Sequence, residues 1–148
     1  MEVIEFGPAR AIGISAVGKG GDGAFAYVWM DHLLPRMNEV QIMPGGGSFG
    51  ICRMLPNQPD GDIEYTAAFE TTDDAPIPTG MIECFIPSGK YFVKRVESLD
   101  TIGESWQEAS AEYRQANPGG PHKIDFPAFE YYPPEFQGRG PLYIYFPE

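Results

Sequence analysis

The sequence has no apolar run long enough to cross a bilayer, little basic charge, and few cysteines and histidines. The N-terminal MEVIEFGPAR lacks the basic-then-apolar layout of a secretory signal. A soluble, cytoplasmic protein with no membrane partner is the expectation. Lys and Arg number 10 against 21 Asp and Glu, for a net charge of −11. Such a surface repels phosphate backbones, and no basic stripe overrules the total. Nucleic acid is therefore not expected as a partner of this chain by itself. Cations are favoured at long range, although a negative surface also serves solubility alone. The two cysteines, Cys52 and Cys84, form no C-x-x-C motif and fall in apolar runs. Buried free thiols are the simpler reading. His32 and His122 have no neighbours at zinc spacing, so neither a metal site nor a cofactor is expected.

What the sequence does have is strand-like. At 148 residues it has the length of one domain with a real core. The stretches 9–17, 48–55, 62–70, 81–87, 90–97, 127–132 and 142–146 are rich in β-branched or aromatic residues, and Gly and Pro clusters bound them. Two segments have helical spacing instead. Residues 23–38 carry Phe25, Trp29, Leu33 and Met37 at i, i+4, with Asp22 as N-cap and Pro35 as a kink or early end. Residues 101–115 carry Ile102, Trp106, Ala109 and Tyr113 on one face, with Thr101 and Glu104 as a capping box.

The order strand, helix, strand, strand occurs twice. Pro8 and Pro87 stand 79 residues apart, each two positions after a Phe (Phe6, Phe85). Ile63 and Leu142 also stand 79 apart, and Trp29 and Trp106 stand 77 apart. Tandem modules of about 75 residues account for this. The expected domain is 1–148 as a single unit, with pseudo-repeats at about 1–72 and 79–148 and the joint in 71–80. The expected fold class is α+β: duplicated strand-helix-strand-strand modules in one antiparallel sheet, with two helices on one face.

This layout resembles the GyrI-like effector-binding family, which includes ligand-sensing domains of multidrug-responsive transcription regulators and free-standing proteins of similar size. The matches are Trp29, GMIECFIPSGKYFV (80–93), Trp106, FPAFEYY (126–132) and the terminal LYIYFPE. The resemblance implies a pocket between the helices, floored by the sheet and lined with aromatics. It also implies that Glu130, in the F-E-Y position, contacts the ligand. The family's regulators carry a DNA-binding domain on a neighbouring segment, and this chain is expected to be a stand-alone member without one. The Gly-rich stretch 43–50 departs from the family pattern.

Glu130 also stands out by its neighbours, Phe126, Phe129, Tyr131, Tyr132 and Phe136. Burying an ionised carboxylate is costly unless something pairs with it. On a strand, Phe126, Ala128, Glu130 and Tyr132 share one face. Ala128 beside Glu130 leaves a gap for a ligand. A carboxylate among aromatic faces suits a planar, lipophilic, cationic molecule. A solvated Glu130 at a sheet edge is the competing reading. Trp29, Trp106, Tyr65, Tyr145, Phe49 and Tyr91 are further ligand-binding candidates, each of which could instead be core. Tyr65 and Tyr145 lie near equivalent places in the last strand of each module. GGSFG (46–50) fits G-x-S-x-G but lacks the strand-then-helix setting of a nucleophile elbow. A small-molecule binding protein is the expected function. The alternative is a hydrolase in which Glu130 acts as general base beside a tyrosine.

Overall fold

The β-branched and aromatic runs all become strands of a single sheet. The computed structural model describes residues 1–20, 23–55, 62–118 and 128–148. The strands are β1 Glu2–Phe6, β2 Ala9–Gly18, β3 Ser48–Met54, β4 Ile63–Thr71, β5 Ile82–Ile86, β6 Gly89–Val96, β7 Ala128–Tyr132 and β8 Leu142–Pro147. Their order is β1-β6-β8-β7-β3-β4-β2-β5, and each neighbouring pair is antiparallel. Exchanging β1–β4 for β5–β8 returns the same order read from the other edge. The architecture is α+β, with the two halves meeting at the β3–β7 pair. Each half opens with two strands before its helix, because β1 adds an edge strand to β6.

Side-chain alternation divides the sheet's two faces. One face carries Ile12, Tyr65, Ala67 and Phe69 with Val28 and Leu33 of the first helical segment. The same face continues through Val96, Leu142, Ile144 and Phe146 with Ala109 and Tyr113 of the second. Both helices therefore lie on one side. The other face curls inward over Phe49, Ile51, Tyr91, Phe129 and Tyr145. There Phe6 of β1 touches the rings of Phe49, Tyr91, Phe129, Tyr131 and Tyr145. Gly7 closes the curl: a Cβ there would come 2.8 Å from the Pro87 carbonyl oxygen, and its φ is +79°.

The helices differ in kind. The second is α1, Ile102–Ala116, and buries Ser105, Ala109 and Tyr113. The capping box is not formed, because Thr101 makes no side-chain cap. A 3₁₀ turn, Leu99–Thr101, precedes α1, and Ser98 caps it by accepting from the Asp100 N–H. The first segment is not a regular α-helix. Val28–Leu33 is π-helical and Leu34–Glu39 is 3₁₀. The buried residues Val28 and Leu33 are five apart, the spacing of i→i+5 bonding, and the Leu34 N–H donates to the Trp29 carbonyl. Pro35 falls in the first turn of the 3₁₀ piece, where its missing N–H costs nothing. Met37 is left exposed rather than buried. Asp22, His122 and Phe126 lie outside the described residues. Among the described residues no helix is long and apolar enough to cross a membrane.

Candidate functional site

Glu130 lies on β7 with Ala128 and Tyr132 on the helix side of the sheet, and it is 6% exposed. It is not a solvated edge residue, because β7 is an interior strand between β3 and β8. Both carboxylate oxygens are held. Oε1 accepts from the Tyr65 hydroxyl at 2.9 Å and the Tyr132 hydroxyl at 2.8 Å. Oε2 accepts from the Trp106 indole N–H at 2.8 Å. Behind these, the Trp29 indole N–H donates to the Tyr65 hydroxyl at 2.8 Å. Thus one tryptophan from each helical segment reaches the same carboxylate, directly or through one tyrosine.

The electrostatics follow from burial. Removal from water pushes Glu130 above the usual carboxylate range, while hydrogen bonds from Trp106, Tyr132 and Tyr65 pull it back. Burial and the Glu130 charge together raise Tyr65, Tyr132 and the Cys52 thiol, so all three stay protonated. None of the ion pairs among the described residues involves Glu130.

This carboxylate opens onto a cleft of about 1560 Å³ between the helical segments and the sheet. Trp29, Tyr65, Trp106, Glu130, Tyr132 and Phe136 all line it. Arg53 is the basic residue in the lining. It follows Cys52 on β3 and so faces the other way, where its charge partly offsets the burial that pushes the Cys84 thiol up to about 11.

Residues 10–147 match a family described as Cass2, integron-associated effector binding protein. The chain belongs to that family. The transcriptional regulator BrlR of Pseudomonas aeruginosa is 30% identical over 142 residues, a match covering 95% of this chain and 50% of BrlR. The chain thus spans about half the length of that curated relative. Its fold is similar to that of SAV2435 bound to tetraphenylphosphonium, with TM-score 0.65, 15% identity, and coverage of 99% of this chain and 92% of that one. An integron cassette protein from the mobile metagenome of Vibrio cholerae gives TM-score 0.64 at 15% identity, covering 99% and 94%. The C-terminal domain of EcmrR gives 0.62 at 14%, again covering 99% and 94%. These structural likenesses are of fold. With the family match and BrlR they place the chain among GyrI-like effector-binding domains.

In this Cass2-family chain, four of the sequence candidates come together: Glu130, Trp29, Trp106 and Tyr65. Three do not. Phe49, Tyr91 and Tyr145 pack with one another's neighbours on the curled face, away from the cleft. Tyr145 stacks on Phe129 at 4.9 Å and 8°. The residue aligned with Tyr65 at a 79-residue offset is Ile144, and one step along a strand turns Tyr145 to the opposite face. Tyr132 was not among the candidates, although it shares the face of Glu130 and that parity marks it. Gly50, which pairs with Glu130 across β3–β7, had no sequence signal.

Proposed function

We propose that this domain binds planar, lipophilic, cationic small molecules, with Glu130 as the counter-charge and Trp29, Trp106 and Tyr65 as aromatic contacts. The observation that carries this reading is a buried carboxylate, facing an aromatic cleft, with no basic partner among the described residues. Its three donors hold the charged form in place without neutralising it. A cation stacked on nearby ring faces would supply the missing charge. The net charge of −11 favours cation approach. The structural neighbour SAV2435, in complex with tetraphenylphosphonium, lends support at the level of fold.

The 148 residues act in this reading as one effector-binding domain built from repeats at about 1–72 and 79–148. The same charge weighs against duplex DNA binding by these residues. A hydrolase would need Glu130 to offer a lone pair to water. Three protein donors already directed at its oxygens weigh against that role.

Planar N-methylquinolinium and its neutral isostere 1-methylnaphthalene, titrated by tryptophan fluorescence against the protein and Glu130→Gln, test the reading. Cation affinity should fall by about 1.5–3 kcal/mol, the range for a charged hydrogen bond, while the neutral ligand is little changed. Equal affinities for both ligands, unaffected by the substitution, would overturn it.

A further inference from the structure

The cleft is larger than one compact ligand needs. Its volume is about 1560 Å³, against roughly 300–1,000 Å³ for common small-molecule pockets. The Glu130 network accounts for the part near the middle and far end of β3. Strand register locates the rest. Ser48, at the start of β3, pairs with Phe69 on one side and Tyr132 on the other. Trp29 stands edge-on to both rings, at 6.1 Å from Phe69 and 5.7 Å from Tyr132, while its N–H points to Tyr65. The indole and Tyr132 thereby form a partition between Glu130 and the cleft's other end.

Beyond that partition the lining changes in character. Met30, Met37, Met43 and Ile42 line it, with the glycine-rich segment 45–47 contributing backbone. Three of the chain's six methionines line the cleft. The glycine-rich segment is tied down rather than loose. Gly46 N–H donates to the Met43 carbonyl, Gly47 N–H to the Glu70 carboxylate, and Glu70 N–H to the Gly47 carbonyl. A side chain at Gly47 would meet the Tyr131 ring and the Tyr132 carbonyl oxygen, both at 2.5 Å. Unbranched thioether side chains adapt to variable shapes, which suits a flexible apolar ligand more than a rigid plate.

We propose that this methionine-lined compartment is a second subsite, which takes the neutral, flexible apolar arm of an amphiphilic cation whose charged head lies against Glu130. The proposal rests on the cation-binding reading above and adds to it a length-dependent selectivity. The partition places head and tail in different chemistry: charge and ring faces on one side, methionine and backbone on the other.

Calorimetric titration of n-alkyltrimethylammonium ions from butyl to decyl tests this. Affinity should rise about fourfold per added methylene, the value for a fully buried CH₂. Met37→Ser/Met43→Ser should flatten that rise while leaving the butyl affinity in place. Met30→Ser, at a position 65% exposed, provides a milder variant whose fold is not at risk. Glu130→Gln should weaken all chain lengths by one common factor and keep the slope. A flat series in the unaltered protein, or a slope that survives every methionine substitution, would overturn the second subsite and leave the cation reading standing. If no cation binds, the cation reading falls. The neutral fluorophore N-phenyl-1-naphthylamine then decides the subsite: binding kept in Glu130→Gln but lost with the methionines supports it, and any other pattern overturns it.

Discussion

Gly50 lies directly across the β3–β7 pair from Glu130, and a methyl group there would run into both the Glu130 carboxylate and the Tyr65 hydroxyl. The two strands belong to different halves of the chain, so this pair sits where the halves meet. A single carboxylate can occupy that place because its partner has no side chain.

Gly50→Ala should therefore be destabilising despite the better strand propensity of alanine. The propensity gain is about 0.5–1 kcal/mol. Forcing a methyl group against two buried, hydrogen-bonded groups costs about 1–3 kcal/mol. A lower thermal midpoint together with weaker cation binding is the expected result. A midpoint at or above that of the parent would show that the network shifts freely.

Much of this fold was legible because strands announce themselves by residue type and by Gly and Pro boundaries. The seven longer runs could be read to within a residue or two. The first strand, EVIEF, was not, because two acids break its apolar pattern and it pairs along one edge alone. The first helical segment had an i, i+4 pattern that tertiary packing overrode, since its fully buried residues are Val28 and Leu33, five apart. Aromatic side chains were the harder problem. Phe49 and Tyr91 look like pocket residues by type, yet strand parity turns them to the curled face. Parity relative to Glu130 sorts β7 correctly, but across strands it requires a register that the sequence does not carry.

Arg10 ties the joint between the halves to the sheet. Its guanidinium donates to the carbonyls of Thr72 and Ala75, each at 2.9 Å, and to the Glu83 carboxylate. Arg10→Met would strip partners from those carbonyls, at a cost of about 1–3 kcal/mol. Arg10→Lys should recover part of this, because one ammonium cannot reproduce the planar fork. Urea midpoints at unchanged m-value measure both. Equal midpoints for the methionine variant and the parent would show that the joint needs no such tie.

Trp106→Phe tests the donor to Oε2. Loss of that hydrogen bond removes support from the ionised form alone, so the Glu130 pKa should rise further above its already raised value. Carbon-13 NMR titration of the labelled carboxyl reads this directly. An unchanged pKa would mean that the indole contributes nothing to holding the charge.

The pH dependence of stability and of binding should run in opposite directions, and Glu130 is the reason. Its folded-state pKa is raised, with burial as the largest cause. The folded chain therefore holds this proton more tightly than the unfolded chain does. Charging Glu130 in the ligand-free fold costs stability in full above the folded pKa, and the cost disappears as pH falls toward the unfolded value. Relative to Glu130→Gln, the parent should thus gain stability on acidification from pH 8 toward about 4.3, the ordinary glutamate value. Gln can still accept from Trp106 and donate to a tyrosine hydroxyl, so the comparison isolates the charge. A bound cation acts the other way. It pairs with the ionised form, lowers the pKa and releases a proton on binding. Cation affinity should be flat above the free-protein pKa and fall about tenfold per pH unit below it. Glu130→Gln should show no such break. Denaturation and binding titrations across this range, on both variants, measure the two slopes. A cation affinity that is independent of pH in the parent would remove Glu130 from the ligand's electrostatics, whatever else lines the cleft.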